Sequence, residues 1–471
     1  MMKPVVESDY SCTTVAVSKL RLARRTPSEP APLAFQQEFM WKHFMQPEVP
    51  YIVFDVKRLR GALNLDILCN GLGIIVARHE SLRTRIVNID GVLRQQVDEP
   101  SELRLKLVSL TGASTGDKEA RAGRFLQEFL WKRIDLEAGP LFDVRVLQLG
   151  EHDYALALVL HHLVTDALSF NLLLRELWIS YRALARGQEP DLLPVSMQYA
   201  DYARWQRHGR QRWLERHGDY WLRRLANAVS AKLPSDTGLA DISPHKISLL
   251  DISLEEHTST LQALAQRLRT TIATVLLALY VVTLSRWTGL LDFVLPYVVS
   301  GRLGSMDLNV MGYVGQLLPL RIELSGDETF ADTVDLVTRE FSAAYEHLDF
   351  GTVFDGYPEF LKGASLNGLI TSLDAHALTE LDCGGNVIAI DPLPMDLAFP
   401  EEFRQPSDVY CLLWGTATGI RARCMYRASL FKPRTIECFL EDLRLLAQQV
   451  AYDPTSRTTS LHSRNGATSG L

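Results

Sequence analysis

Cysteine is scarce in this chain of 471 residues, and its six cysteines are scattered. No two of them form a C-x-x-C pair, as their positions show: Cys12, Cys69, Cys383, Cys411, Cys424 and Cys438. This spacing argues against a disulfide framework and against a zinc site built on thiolates. Because most of them lie in apolar or amphipathic stretches, we expect reduced thiols in a cytoplasmic protein.

A membrane-spanning run and a strong excess of one charge are also missing. The longest apolar stretch, residues 272–284, is interrupted by two threonines and is too short to cross a bilayer. The first eight residues do not form the apolar core of a signal peptide. The formal net charge is −7 and the basic residues are spread along the chain, which argues against nucleic acid or an anionic membrane as partner.

The most informative stretch that is present is HHLVTDALS at residues 161–169. It follows an apolar run, residues 154–160, that predicts a buried strand, and α/β proteins often place chemistry in the loop after such a strand. Histidine exchanges a proton near neutral pH. Two plainer interpretations stay open: a structural pair with no chemistry, or metal binding through His161 and His162. Ser169 has no G-x-S-x-G elbow, so we interpret it as the cap of the following helix rather than a nucleophile.

The order of predicted elements indicates two α/β lobes. Strand and helix alternate in the first half, a hairpin over residues 141–160 makes its sheet mixed, and the second half repeats a similar order. With 47% hydrophobic residues, the chain is large enough for two cores. We predict an extension over residues 1–31, an N-terminal lobe over 32–226 carrying the histidine motif, a C-terminal lobe over 227–454, and a disordered tail over 455–471.

Five short motifs follow one another along the chain. They are PLAFQQ at 32–37, RHESLRTR at 78–85, HHLVTD at 161–166, YADYARWQ at 199–206 and, after VVSGR at 298–302, GYVGQLLPLR at 312–321. In this order they resemble the motifs of the condensation domains of nonribosomal peptide synthetases, within the chloramphenicol acetyltransferase-like superfamily. The resemblance covers roughly residues 32–454.

The resemblance implies both a fold and a reaction. The fold is α/β, with two chloramphenicol acetyltransferase-like lobes in a V-shaped pseudo-dimer, mixed sheets flanked by helices, and an active-site tunnel between the lobes. The reaction is transfer of an acyl group from a carrier-bound pantetheine thioester to an amine or hydroxyl acceptor, in nonribosomal peptide or polyketide biosynthesis. We expect no intrinsic cofactor or metal, since the thioester is already activated and the phosphopantetheine arm of the carrier serves as the substrate tether.

The resemblance also assigns roles to individual residues. His162 is the general base or the group that positions the nucleophile, while His161, Asp166 and Arg302 support the site, with Asp166 paired to Arg302. Ala167 and Ser169 are expected to line the substrate channel. The family has glycine where Ala167 stands, and the added methyl group is expected to narrow the approach of the acceptor.

Alternatives within the same fold remain. One is epimerisation of a carrier-bound aminoacyl group, and another is a non-catalytic domain that recruits partners. No adenylation, carrier or thioesterase segment is recognisable in the sequence, which favours a free-standing enzyme. We therefore expect a monomer whose partners are a separate acyl or peptidyl carrier protein and an acceptor that is either a small molecule or carrier-bound.

Overall fold

The computed structural model describes most of the chain. The described residues are 6–11, 29–43, 45, 50–110, 115–236, 246–302, 309–348, 366–370, 379–393, 398–400, 403, 407–415 and 419–458. Most of the predicted N-terminal extension, residues 459–471 of the predicted tail, and Cys12 lie outside them.

The described chain contains both strands and helices in each half. In the first half they are β1 (Val6–Ser11), β2 (Ala31–Pro32), α1 (Phe35–His43), β3 (Ile52–Arg60), α2 (Leu65–Arg78), β4 (Thr84–Ile89), β5 (Val92–Val97), β6 (Arg104–Ser109), α3 (Thr115–Leu130), β7 (Phe142–Gly150), β8 (Asp153–His161), α4 (Ala167–Ala185) and α5 (Tyr199–Arg224). In the second half they are β9 (Ile247–Ser253), α6 (Thr258–Arg267), α7 (Ile272–Thr288), β10 (Asp292–Val299), β11 (Gln316–Glu323), α8 (Phe330–Tyr345), β12 (Leu366–Ile370), β13 (Glu380–Asp382), β14 (Val387–Pro392), β15 (Val409–Gly415), β16 (Ile420–Arg427) and α9 (Pro433–Tyr452). Apolar residues at helical spacing in the sequence predict a final helix over 433–452, and α9 confirms it at both ends.

The chain forms two compact units, and each is discontinuous in sequence. The first comprises Met1–Gly209, Arg302–Val314 and Ala377–Ala398; the second comprises Arg210–Gly301, Gly315–His376 and Phe399–Leu471. The order of elements in the sequence instead predicts continuous lobes that meet at residue 226. The difference arises because strand β14, far along the chain, pairs with β3 at one side of the first unit's sheet.

The first unit contains a seven-stranded sheet in the order β1-β6-β7-β8-β3-β14-β13. Strands β6 and β7 are parallel and the other neighbours are antiparallel, so the predicted mixed sheet and the β7–β8 hairpin are confirmed. A separate sheet, β2-β5-β4, pairs part of the predicted extension with the N-terminal lobe. Strand β1 likewise adds residues 6–11 to the edge of the main sheet, where the sequence predicts an extension outside the core.

Strand β8 is buried on both faces, which explains its unbroken apolar sequence. Large side chains, Tyr154 and the leucines at 156, 158 and 160, lie in the core shared with α2 and α4. The smaller Ala155, Ala157 and Val159 alternate with them and pack in the core shared with α3. This burial fixes the strand and thereby the position of the histidine loop that follows it.

The second unit contains a six-stranded sheet in the order β11-β10-β12-β15-β16-β9, also mixed. Its core is built around α7, which Thr271 caps at the N-terminus and Gly289, with φ of 70°, at the C-terminus. At residues 455–458, in the predicted tail, Thr458 N–H donates to Glu328 O at 3.0 Å near the start of α8.

Candidate functional site

His161 ends strand β8 and is almost fully buried. Its Nδ1 accepts a hydrogen bond of 3.2 Å from the backbone N–H of Leu163, so the ring proton is on Nε2. Burial, together with the neighbouring His162, lowers the pKa of His161 to about 3. His161 is therefore neutral near pH 7, and its role is to fix the turn after the strand.

His162 begins that turn and is half-buried. Its backbone N–H donates to Tyr51 O at 2.7 Å. Its ring contacts two tyrosine rings, with centroid distances of 5.5 Å to Tyr51 and 4.8 Å to Tyr313. Burial lowers the pKa of His162, while its own peptide group, the charge of Asp166 and the backbone of Thr165 act in the opposite direction. A lowered pKa leaves the imidazole neutral near pH 7 and able to accept a proton.

Asp166 and Arg302 form a bidentate ion pair, both side chains being almost inaccessible to solvent. Arg302 Nη1 donates to Asp166 Oδ2 at 2.8 Å and Nη2 to Oδ1 at 3.0 Å. The carboxylate also accepts from the backbone N–H of Ser169 at 2.8 Å and of Val314 at 3.0 Å. The structure thus brings together two residues that the sequence analysis assigns to site support, and it joins the histidine loop to residues 312–314.

Ser169 is a second connection between the same segments. Its Oγ donates to Gly312 O at 2.7 Å and accepts from Gly312 N–H at 2.9 Å and from Arg302 Nη2 at 2.8 Å. The predicted helix cap is wrong, because Asp166 is the N-cap of α4 and Ser169 N–H is the group it caps. Only 1% of the surface of Ser169 is exposed, whereas a side chain that lines a substrate channel is expected to be more accessible.

Ala167, the other residue predicted to line the channel, is the first residue of α4 and is half-buried. Alanine is well suited to a helical backbone, so this position does not need the conformational freedom of the family's glycine. The expectation that the methyl group of Ala167 narrows the approach of the acceptor stays a prediction.

The motif at residues 32–37 supports the turn from the opposite side. Gln37 Oε1 accepts from the backbone N–H of Ala34 at 2.9 Å, and its Nε2 donates to Leu163 O at 2.7 Å. Gln37 is fully buried. The loop that follows the two histidines is therefore fixed by a side-chain amide as well as by the ion pair.

The motifs at 78–85 and 199–206 hold the helices around the site. Arg78 Nε and His79 Nε2 lie 3.2 and 2.7 Å from Glu176 Oε2, in the buried part of α4. Gln206 Oε1 accepts from the backbone N–H of Phe35, the first residue of α1, at 2.8 Å. These motif residues anchor elements rather than approach the imidazole.

Four residues of the site carry no role in the sequence analysis. Gly312 and Val314 belong to a motif that the sequence analysis identifies, but their hydrogen bonds to Ser169 and Asp166 are tertiary and leave no local pattern. Tyr313 lies in the same motif, but its ring contact with His162 is likewise tertiary. Tyr51, directly before β3, is a single aromatic residue with no distinguishing signal in one sequence.

Two further properties bear on the function. The described residues contain no group of three or more histidine, cysteine, aspartate or glutamate side chains suited to a metal ion. Within the same residues, no single helix is long and apolar enough to cross a membrane. Two consecutive helical segments, Glu255–Arg267 and Ile272–Thr288, are together long and apolar enough, but the chain bends sharply between them.

Comparison with known proteins identifies the family. The model of the condensation domain matches residues 28–353. The chain belongs to the condensation-domain family. It is 30% identical over 447 residues to a linear gramicidin synthase protein of Brevibacillus parabrevis, covering 91% of this chain and 6% of that relative. It is 32% identical over 336 residues to malpibaldin synthetase of Mortierella alpina, covering 70% of this chain and again 6% of the relative. This condensation domain therefore spans a small part of the length of these synthetases.

Solved structures confirm the predicted fold class. The SgcC5 protein from Streptomyces globisporus superposes with a TM-score of 0.74 at 23% identity, covering 90% of this chain and 100% of that one. The X-domain from teicoplanin biosynthesis gives 0.75 at 23% identity, covering 93% and 99%. The first condensation domain of the calcium-dependent antibiotic synthetase gives 0.72 at 21% identity, covering 93% and 100%. At these identities the likeness concerns the two-lobed α/β fold and leaves the reaction to be argued from the site.

Proposed function

We propose that this condensation domain transfers an acyl group from a carrier-bound pantetheine thioester to an amine or hydroxyl acceptor in natural-product biosynthesis. The observation that carries the proposal is the position of His162: a half-buried imidazole in the turn directly after the buried strand β8, in a loop that the Asp166–Arg302 ion pair holds. Burial also lowers the pKa of this imidazole. The domain needs no cofactor of its own for this reaction, since the phosphopantetheine arm is part of the substrate.

The reaction requires one proton acceptor. The acceptor nitrogen or oxygen attacks the thioester carbonyl carbon, and a tetrahedral intermediate forms with negative charge on the former carbonyl oxygen. The carbon–sulfur bond then breaks, the thiolate leaves, and the amide or ester remains. His162 Nε2 takes the proton that the acceptor loses and can return it to the sulfur. A hydroxyl acceptor, with its higher pKa, depends on this base more than an amine does. For an amine, hydrogen bonding that positions the nucleophile is the competing role.

The residues around His162 assist that reaction by holding the imidazole in place, and they do not contact the reacting atoms themselves. His161 is neutral and bonded to the backbone, and the Asp166 carboxylate is engaged by Arg302. We assign both to holding the turn, so that the imidazole keeps one orientation toward the reacting atoms. In this proposal the partners are an acyl or peptidyl carrier protein and a free or carrier-bound acceptor, and the domain works as a cytoplasmic monomer.

The test measures loss of acyl mass from a loaded carrier protein when a pool of amines and alcohols is supplied. The variant His162→Ala is expected to lower the rate by about 10²–10⁴-fold, the range for loss of general acid–base catalysis. The matched control is His152→Ala, an exposed histidine in the turn at the opposite end of the same strand, which is expected to retain the rate. Full activity in His162→Ala, with the control unchanged, would contradict the catalytic role.

Partner recruitment is the second candidate, because the same fold is shared with the X-domain, which has also been solved in complex with OxyB from teicoplanin biosynthesis. Binding of a loaded carrier without acyl loss for any acceptor in the pool would favour this candidate. Uptake of deuterium at the α-carbon of a carrier-bound aminoacyl group, again without transfer, would instead indicate epimerisation.

A further inference from the structure

The imidazole of His162 is oriented without a carboxylate. The four acceptor positions of the Asp166 carboxylate are filled by two bonds from Arg302 and by the backbone N–H groups of Ser169 and Val314. Within the described part of the chain, no side chain hydrogen-bonds the buried Nδ1 of His162. Its neighbouring polar groups there are peptide groups of His162 and Thr165. Apart from these peptide groups, the described contacts of the ring are with aromatic side chains.

Of the described residues, Tyr313 makes the closest ring contact to that imidazole. The two ring centroids are 4.8 Å apart and the planes are inclined at 72°, the edge-to-face arrangement that aromatic rings prefer. Tyr51 lies at 5.5 Å with a tilt of 39°. Its backbone carbonyl also accepts from His162 N–H, so Tyr51 fixes the main chain as well as one side of the ring.

Tyr313 is itself held from both sides. The preceding Gly312 is bonded through its N–H and its carbonyl to Ser169, and the following Val314 donates to Asp166. The hydroxyl of Tyr199 donates to the backbone carbonyl of Tyr313. The buried ion-pair network therefore ends, through residues 312–314, at the ring that touches His162.

We propose that Tyr313 is a positioning residue for His162, and that the Asp166–Arg302 network acts on the imidazole through this tyrosine. The inference rests on the proposed function for its catalytic consequence, but the orientation of the ring is a property of the free protein. The part that acts is the aromatic ring of Tyr313, since its edge-to-face geometry does not require the hydroxyl group. Tyr313 thereby connects a buried structural pair to the reacting group.

The first measurement does not depend on turnover. With [13C]histidine in a deuterated protein, the ring carbon shifts of His162, assigned by loss of its signals in His162→Gln, report its tautomer and its pKa. The titratable groups near the imidazole are Asp166 at the start of α4, His161 at the end of β8, and the hydroxyl groups of Tyr51 and Tyr313. Wild type is expected to show one tautomer and a lowered pKa. In Tyr313→Leu and Tyr313→Ala, a mixture of tautomers and a pKa nearer 6.5 are expected, because water reaches the ring.

Matched variants separate the ring from its hydroxyl group and from general destabilisation. Tyr313→Phe is expected to behave as wild type, and Tyr452→Ala, which removes an exposed tyrosine of α9, should change nothing. Tyr313→Leu retains much of the side-chain volume, so it keeps the test available if Tyr313→Ala does not fold. A single tautomer and an unchanged pKa in folded Tyr313→Leu would overturn the proposal, and so would a phenylalanine variant that behaves like the leucine variant.

The second measurement is catalytic. In the acyl-loss assay, Tyr313→Leu is expected to lower kcat by about 10²-fold with little change in KM, and Tyr313→Phe to restore it. A rise in KM at unchanged kcat would show that Tyr313 binds the acceptor instead, and would overturn the positioning role. If wild type shows no transfer for any acceptor, the proposed function fails while the histidine spectra still decide the role of Tyr313.

Discussion

Asp166 and Arg302, 136 positions apart in the sequence, form a two-point ion pair from which water is almost entirely excluded. Burying two charges costs desolvation energy that their attraction only partly offsets, so such a pair is poor evidence for a net gain in stability. Its geometrical effect is clear: with the N–H groups of Ser169 and Val314 bonded to the same carboxylate, residues 312–314 lie against the start of α4. The pair therefore determines where the histidine loop and the tyrosine beside it lie.

Removing one partner of this pair should destabilise the protein strongly. Arg302→Ala leaves the Asp166 carboxylate buried without its counter-ion, and we expect a loss of about 3–5 kcal/mol in the free energy of unfolding. The matched control is Arg60→Ala, which breaks an ion pair with Asp391 whose side chains are about half exposed; its expected effect is below about 1 kcal/mol. Urea unfolding measures both. Equal losses in the two variants would contradict the role assigned to the buried pair.

A methyl group at Gly312 should also displace the segment that carries Tyr313. A Cβ atom added there would lie 2.2 Å from Cδ2 of the buried Tyr199 ring, and we expect a loss of about 1–3 kcal/mol from overpacking. The control is Gly73→Ala in α2, where an added Cβ meets nothing within 4 Å and should stabilise the helix by about 0.5–1 kcal/mol. Thermal unfolding distinguishes the two, and a neutral Gly312→Ala would argue against tight packing at this position.

Local features of the fold were predictable because their causes are local. The buried strand before His161 follows from an uninterrupted apolar run, and α9 from apolar residues at helical spacing that begin after Pro433. The β7–β8 hairpin follows from two strand patterns joined by a polar turn. Each of these segments contains the information that determines its own conformation.

The remainder of the site depends on contacts between distant segments. The family motifs suggested that Asp166 pairs with Arg302, but nothing in the sequence pattern near Ser169 indicates that its hydroxyl group bonds both groups of Gly312, 143 positions away. The edge strand β1 was missed for a similar reason. Its residues pair with β6, a strand that begins nearly a hundred positions later, and a short polar segment has no strand signal of its own.

Stability should fall on acidification because of His161. Its folded-state pKa of about 3 lies below the ordinary value of 6.5, so the unfolded state binds more protons between these two values. Stability is therefore fully present above pH 6.5 and is lost as the pH falls toward 3, by about 2 kcal/mol between pH 7 and pH 5 from this group alone. The variant His161→Asn keeps an acceptor for Leu163 N–H but does not titrate. As the pH falls across this range, the urea midpoint should fall more steeply in wild type than in His161→Asn. Parallel plots of midpoint against pH for the two proteins would contradict the assignment of this loss of stability to His161.

Ala167→Gly restores the residue that the family places after the aspartate. Because Ala167 is the first residue of α4 and half-buried, we expect at most about 1 kcal/mol of lost stability. If its methyl group narrows the approach of the acceptor, the kcat/KM of a bulky acceptor should rise relative to that of a slender one. The ratio of the two values is the measurement, since it is insensitive to the amount of active protein. An unchanged ratio would remove Ala167 from the set of residues that select the acceptor.

The pH dependence of acyl transfer should report His162 directly. Burial lowers its pKa, so the protonated, inactive form appears only below the ordinary value of 6.5. With an alcohol acceptor, which does not itself titrate near neutral pH, kcat/KM should be constant at pH 7–8 and fall on an acidic limb whose midpoint lies below 6.5. Tyr313→Leu should move this limb upward, toward 6.5, while Tyr313→Phe leaves it in place. An acidic limb centred above 6.5 in wild type, or one that survives in His162→Ala with its midpoint unchanged, would assign the titration to another group.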